Sequence, residues 1–103
     1  MVLERQSIEN IDQLFKEFDH PNPYINSQAC LAMAKYYPDE SINRLINNLD
    51  ESNIDLRRKS VRCLSSFGSQ VVLPIYSLFY STNDKTIRTS CLKVLVKVAS
   101  DAS

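Results

Sequence analysis

Apolar residues along this chain recur at steps of three and four, the spacing of one face of an α-helix. The whole pattern returns every 31 residues without a gap. In the second half of each unit, Ile25, Leu56 and Ile87 share a column, and the small residues Ala29, Ser60 and Cys91 share the next. Ala32, Cys63 and Val94 follow, then Met33, Leu64 and Leu95, then Tyr36, Phe67 and Val98. Those positions form one helical stripe, and the small column lets helix backbones approach closely. In the first half of each unit, Ile11, Ile42 and Leu73 align, as do Leu14, Leu45 and Tyr76, and Phe18, Leu49 and Tyr80. Their spacing predicts a second buried face in every unit.

Helix ends are marked by side chains able to bond the orphaned first-turn N–H groups. Asn22, Asn53 and Asp84 stand at matching positions, and Pro23 follows the first of them, where its missing N–H costs nothing. The spacing predicts helices over 7–19, 23–37, 40–50, 54–67, 70–81 and 85–99. Pro38 ends the second, because a residue before proline disfavours helix. Gly68, the only glycine, is expected to close the fourth in the left-handed conformation. Pro74 fits only the first turn of the fifth, so that helix is expected to start late.

These elements predict an all-α fold, an α-solenoid of three helix–turn–helix repeats at about 8–38, 39–69 and 70–100 within one domain, 1–103. One helix pair is too thin to enclose a core, and stacked neighbours bury one continuously. Period-2 alternation and hairpin dipeptides, the marks of strands, do not occur.

Composition removes several function classes. Lys plus Arg and Asp plus Glu number twelve each, so net charge leaves no footprint for nucleic acid or an acidic membrane. No run approaches 18 apolar residues, and the start lacks a basic segment followed by an apolar one, so neither a membrane span nor a secretory leader is expected. Cys30, Cys63 and Cys91 are odd in number and widely spaced, the pattern of buried thiols in a reducing compartment rather than a disulfide framework. His20 is the only histidine, no Cys or His pair has zinc-like spacing, and one glycine leaves no phosphate-binding loop; no metal site is expected.

The runs Asp50-Glu51-Ser52-Asn53-Ile54-Asp55-Leu56-Arg57-Arg58-Lys59-Ser60-Val61-Arg62 and Asn83-Asp84-Lys85-Thr86-Ile87-Arg88-Thr89-Ser90-Cys91-Leu92 carry a resemblance. An acidic turn, an aliphatic residue, Arg, a small residue and an aliphatic stripe resemble the HEAT-like repeat of the phycobilisome lyases. Within them, Asp39 to Asp50 and Phe18 to Pro23 resemble the Z-type partners of phycoerythrin lyases. The resemblance covers nearly the whole chain. It implies a role in phycobiliprotein maturation, as a bilin lyase subunit or as a chaperone-like partner that positions bilin or apo-phycobiliprotein. It implies a phycobiliprotein subunit or a second HEAT-like lyase subunit as partner. It also implies a transiently held linear tetrapyrrole rather than a permanent cofactor, and a cytoplasmic or plastid-stromal location. Members of that family are usually longer.

Candidate site residues follow from charge and shape. Arg57 and Arg88 occupy one column, with Asn26 in the first repeat. One reading is an internal ladder to acidic turn residues such as Asp19 and Asp50; the other is recognition of a bilin propionate or an acidic protein patch, since the guanidinium fork binds carboxylates bidentately. Arg58 and Arg62 stand four apart on one helix face, flanked by Lys59, as a solvated surface or a partner-binding one. Tyr24 falls outside the core columns and is able to stack on a flat tetrapyrrole or anchor a protein partner. No acid–base constellation marks the chain as an enzyme by itself, and a protein-interaction scaffold with no pigment role is the alternative. The last helix is apolar beyond one stripe at Leu92, Val94, Leu95, Val96, Val98 and Ala99. It has the look of a surface for a following repeat, a second copy or a partner subunit, or else of a wide core-facing stripe.

Overall fold

A computed structural model describes residues 10–50 and 52–102. Six α-helices and one 3₁₀ turn make up these residues, and none of them is in a strand. The helices are α1 Ile11–Phe18, α2 Pro23–Tyr36, α3 Pro38–Ile46, α4 Ile54–Ser66, α5 Val72–Ser81 and α6 Lys85–Ala102, with the 3₁₀ turn at Gly68–Val71 between α4 and α5. The all-α expectation is met.

The caps form where the sequence places them. Asn22 Oδ1 accepts from Tyr24 N at 2.9 Å, Asn53 Oδ1 from Leu56 N at 3.2 Å and Asp84 Oδ1 from Ile87 N at 3.0 Å. Each cap also uses its own carbonyl, which takes the N–H of Asn26, Arg57 and Arg88 respectively. Asn10 does the same for α1, accepting from Gln13 N at 2.8 Å. That cap places the start of α1 at Ile11, whereas the sequence pattern runs it from 7, and 7–9 lie outside the described residues. Pro38 ends α2 as expected: Tyr37, restricted by the proline, leaves the helical region at φ −141° and ψ 56°. It also begins α3, two residues before the predicted start, because a proline at the first helical position loses no bond. The predicted end of α3 at 50 recedes to Ile46, with 47–50 in turn conformation.

The chain folds as two compact units, Met1–Ser41 and Ile42–Ser103. In the first, α1 packs on α2 and buries Ile11, Leu14 and Phe18 with Ala29, Ala32 and Met33. Phe15 and Phe18 meet edge to face, ring centroids 5.9 Å apart. In the second, α6 packs on both α4 and α5, and the 3₁₀ turn touches all three. Cys63, Leu64, Phe67, Val71, Ile75, Cys91, Val94 and Val98 are its buried apolar residues on these elements. Each fully buried aliphatic side chain such as Leu64 contributes about 2 kcal/mol of transfer free energy. The small column is buried in all three repeats: Ala29, Ser60 and Cys91 are each 0% exposed. Ser60 meets its hydroxyl's need within its own helix, donating to Leu56 O at 2.9 Å.

One part of the predicted core is corrected. Ile11, Leu14, Phe18, Ile42, Leu45 and Leu49 are buried, but their third-repeat counterparts Leu73, Tyr76 and Tyr80 are 76%, 49% and 68% exposed. Val71 and Ile75 turn inward instead. The cause lies just upstream. Gly68 adopts φ +68°, the chain winds a 3₁₀ turn, and Pro74 takes a first-turn position of α5. The helix therefore enters with another face toward the core than a strict 31-residue repeat demands.

Gly68 takes this conformation without strain, and any other residue there would be strained by its backbone alone, since a Cβ would meet nothing within 4 Å. Gly68→Ala is expected to lower stability by about 1 kcal/mol, the cost of a Cβ in the left-handed region. A urea midpoint that moves without a change in slope checks this.

Candidate functional site: a cationic groove on the second helices

Helix α4 carries Arg57, Arg58 and Arg62 within two turns, and α6 brings Ser90 and Lys93 beside them. Together with Val61 these residues line a groove of about 220 Å³ within the second unit. Arg58, Arg62 and Lys93 are exposed and Arg57 is half-buried. Among the described residues the lining holds four cationic side chains and no carboxylate. Like charges four apart on a helix cost a few tenths of a kcal/mol, and Arg58 and Arg62 carry that cost unrelieved. Asp55, one turn before Arg58, turns to Lys59 instead, at 3.5 Å. The result is a positive concavity with apolar Val61 in its wall and forked guanidinium donors at its rim. Guanidinium forks have the planar geometry that matches carboxylates.

Lys59 is a correction. The sequence places it on a solvated charged flank, yet it is 7% exposed. Its aliphatic stem lies along the packed side of α4 while its amine reaches Asp55.

The Arg column divides. Arg88 takes no part in the groove lining. Its Nη1 donates to Phe79 O at 2.8 Å and to Thr82 O at 3.1 Å, and its guanidinium lies 3.9 Å from the centroid of the Phe79 ring. It ties down carbonyls at the end of α5. Asn26, in the same column of the first repeat, does the shorter version: its Nδ2 donates to His20 O at 3.1 Å, again six residues back. His20 adds to that turn, its Nδ1 accepting from Asn22 N at 3.0 Å. At Asn26 and Arg88 the column is thus a clip on the turn between the two helices of a repeat. Both side chains bond backbone carbonyls, not the acidic side chains of the ladder reading. For Arg57 the equivalent carbonyl belongs to 51, outside the described residues.

Tyr24 is 70% exposed at the start of α2, and the groove lining does not include it. The residue that sequence reasoning missed is Lys93. A signal for it was present, since Lys93 stands 31 residues after Arg62 and extends that cation into the next repeat.

The cysteines are buried, as their columns imply. Cys91 is a free thiol, and burial pushes its pKa up, partly countered by the nearby Arg88 charge. Cys30 and Cys63 are disulfide-bonded, which corrects the expectation of thiols at those two positions; column character predicts burial but not bonding.

Two measurements follow. Arg88→Ala removes two charge-assisted bonds and is expected to cost about 2 kcal/mol in a urea melt, while Arg58→Ala, on an exposed side chain, stays within about 0.5 kcal/mol. Because the folded Cys91 pKa lies above its unfolded value, its contribution is complete below the unfolded pKa and is lost as pH rises through the folded one. Peptide mapping after iodoacetamide at mildly alkaline pH is expected to find Cys91 unlabelled until the chain is unfolded.

Among the described residues no helix is long and apolar enough to cross a membrane. The family model of HEAT repeats matches residues 11–96. The chain is 34% identical over 89 residues to phycocyanin operon protein Z of Pseudanabaena tenuis, covering 86% of this chain and 44% of that protein. It is 34% identical over 71 residues to the bilin biosynthesis protein CpeZ of a Synechococcus strain, covering 69% of this chain and 38% of that protein. The chain therefore spans less than half the length of these relatives. No solved structure matches. Helix pairs at 31-residue intervals, small residues where second helices pack, and a family match across six helices lead to one statement: this chain belongs to the HEAT-repeat family.

Proposed function

We propose that this chain acts in phycobiliprotein maturation, as an accessory lyase subunit or chaperone-like partner that holds a linear tetrapyrrole or an apo-phycobiliprotein through carboxylate groups. The observation that carries the reading is the cluster of exposed Arg58, Arg62 and Lys93 beside Arg57, in a groove with no acidic residue among the described residues of its lining. The relatives named for the phycocyanin operon and for bilin biosynthesis support the pigment assignment. A phycobilin carries two propionates on a flat apolar frame, which suits cationic forks next to Val61. An acidic patch of an apoprotein presents the same carboxylate chemistry. The role is one of positioning: a held reactant needs fewer degrees of freedom frozen at the moment of bond formation. A second HEAT-like subunit and a phycobiliprotein subunit are the partners this reading implies, with the tetrapyrrole bound transiently.

The test mixes the chain with a phycobilin and with an apo-phycobiliprotein. A visible-absorption shift, or improved apoprotein solubility, is the expected result, weakening as salt screens the groove. Arg58→Glu with Arg62→Glu is expected to lower the affinity by about tenfold or more. The thermal midpoint should hold, since both side chains are exposed. No response to either probe would contradict the proposal and leave a protein-interaction scaffold without a pigment role.

A further inference from the structure

We infer that the hydroxyl of Ser90 is the floor donor of the cationic groove, placed to bond one carboxylate oxygen of a ligand that enters on a short aliphatic arm, as a bilin propionate does. The inference rests on the carboxylate reading above and adds to it a neutral residue that selects which carboxylate the groove takes.

Among the described residues four serines are buried, Ser41, Ser60, Ser65 and Ser90. Burying a hydroxyl is costly unless it is hydrogen-bonded. Ser60 and Ser65 meet that need one turn back, donating to Leu56 O at 2.9 Å and to Val61 O at 2.8 Å. Ser41 is sealed in, 0% exposed and without a partner among the described residues. Ser90 differs from all three. It is 4% exposed, it lines the groove, and its hydroxyl bonds none of the described residues. Thr86 O lies one turn back on α6, where Ser60 and Ser65 find their acceptors, and the Ser90 hydroxyl does not take it. The repeat sharpens the contrast. Gln28, Lys59 and Ser90 share a column, and Lys59 has its acceptor in Asp55, 3.5 Å away. The residue that matches Asp55 in the third repeat is Thr86, which carries no charge. A buried hydroxyl left unpaired in the wall of an open concavity is accounted for by an acceptor that enters the concavity.

Depth decides what that acceptor is. Ser90 and Lys93 stand three apart on α6, and Arg58 and Arg62 four apart on α4, so each pair shares a helix face. Exposure grades the groove from floor to rim: Ser90 is buried, Val61 half-buried, and Arg58, Arg62 and Lys93 exposed. The rim charges attract an anion from any direction, whereas the hydroxyl bonds only an acceptor that reaches it. The groove holds about 220 Å³. Pockets that enclose a whole small molecule start at roughly 300 Å³, so an arm enters and a tetrapyrrole frame stays outside. A folded acidic patch carries its carboxylates among neighbouring side chains, which the rim holds off. A propionate projects its carboxylate beyond its ring on a slender chain. Two carboxylate oxygens offer about four acceptor sites, enough for guanidinium N–H groups and the Ser90 O–H together.

Absorption titrations of the full chain with a phycobilin and with its dimethyl ester, in the wild type and in Ser90→Ala, test this. The wild type is expected to bind the free acid more tightly than the ester. Ser90→Ala is expected to lower affinity for the free acid by about tenfold, the effect of one hydrogen bond to a charged acceptor. Its effect on the ester is expected to stay under about twofold, the non-additivity that marks a direct contact. The salt dependence should run parallel to that of the wild type, since no charge is removed. The thermal midpoint is expected not to fall, because the hydroxyl has no bond in the folded chain to lose. Equal losses for acid and ester, no loss for either, or a lowered midpoint would overturn the inference and leave the groove as a carboxylate site. Lost binding of an apo-phycobiliprotein with bilin binding intact would overturn it too, assigning the hydroxyl to a protein carboxylate. A wild-type chain that binds neither probe, or binds both alike, would instead contradict the carboxylate reading itself.

Discussion

The architecture depends on how closely second helices come together. In the second unit α6 lies on α4, and at the columns that meet the core each repeat supplies a residue no larger than cysteine at one position: Ala29, Ser60, Cys91. Within the second unit, full burial of Ser60 and Cys91 leaves no room for a larger side chain, because interiors are packed near crystal density. That constraint sets the spacing of α4 and α6, and the spacing sets everything displayed on them. Arg62 and Lys93 fall into one groove because they occupy the same column on helices held side by side.

A second constraint acts within each repeat. The turn between first and second helix carries carbonyls with no helical partner, and buried or half-buried orphans are costly. The chain answers with a side chain six residues on, Asn26 to His20 O and Arg88 to Thr82 O. Arg88 reaches further, adding Phe79 O and the Phe79 ring. A charged residue in a repeated column is thus explained by backbone chemistry before any ligand is invoked. The groove is different: Arg58, Arg62 and Lys93 are exposed, in a lining without carboxylates among the described residues.

Much of this was legible in the order of residues. The 31-residue period, the caps at Asn22, Asn53 and Asp84, the break at Pro38 and the left-handed Gly68 all express local rules that act wherever the chain goes. The second-helix columns held for the same reason, since identical spacing on similar helices repeats the same face. The first-helix columns failed in the third repeat, where a 3₁₀ turn and Pro74 reset the phase of α5 and turned Tyr76 and Tyr80 outward. Periodicity counts residues, and it does not see a change of winding between elements. Lys59 reads as part of a solvated flank in the sequence yet is buried, because a long side chain buries its stem whatever its charge. Arg58 and Arg62 were visible as a pair on one helix, but Lys93 joins them only through packing of α6 on α4. Arg88 was grouped with them by column, although its direction is set by the end of α5.

The groove on the second helices is the centre of this account, and its occupancy is measurable residue by residue. Backbone and side-chain resonances of the isotope-labelled chain, followed while a phycobilin is added, locate the contact. The account predicts shifts confined to 57–62 and 89–93, growing saturably and suppressed by salt, with Arg88 and Tyr24 left in place. Shifts centred elsewhere, or none at concentrations that saturate a carboxylate site, would contradict it.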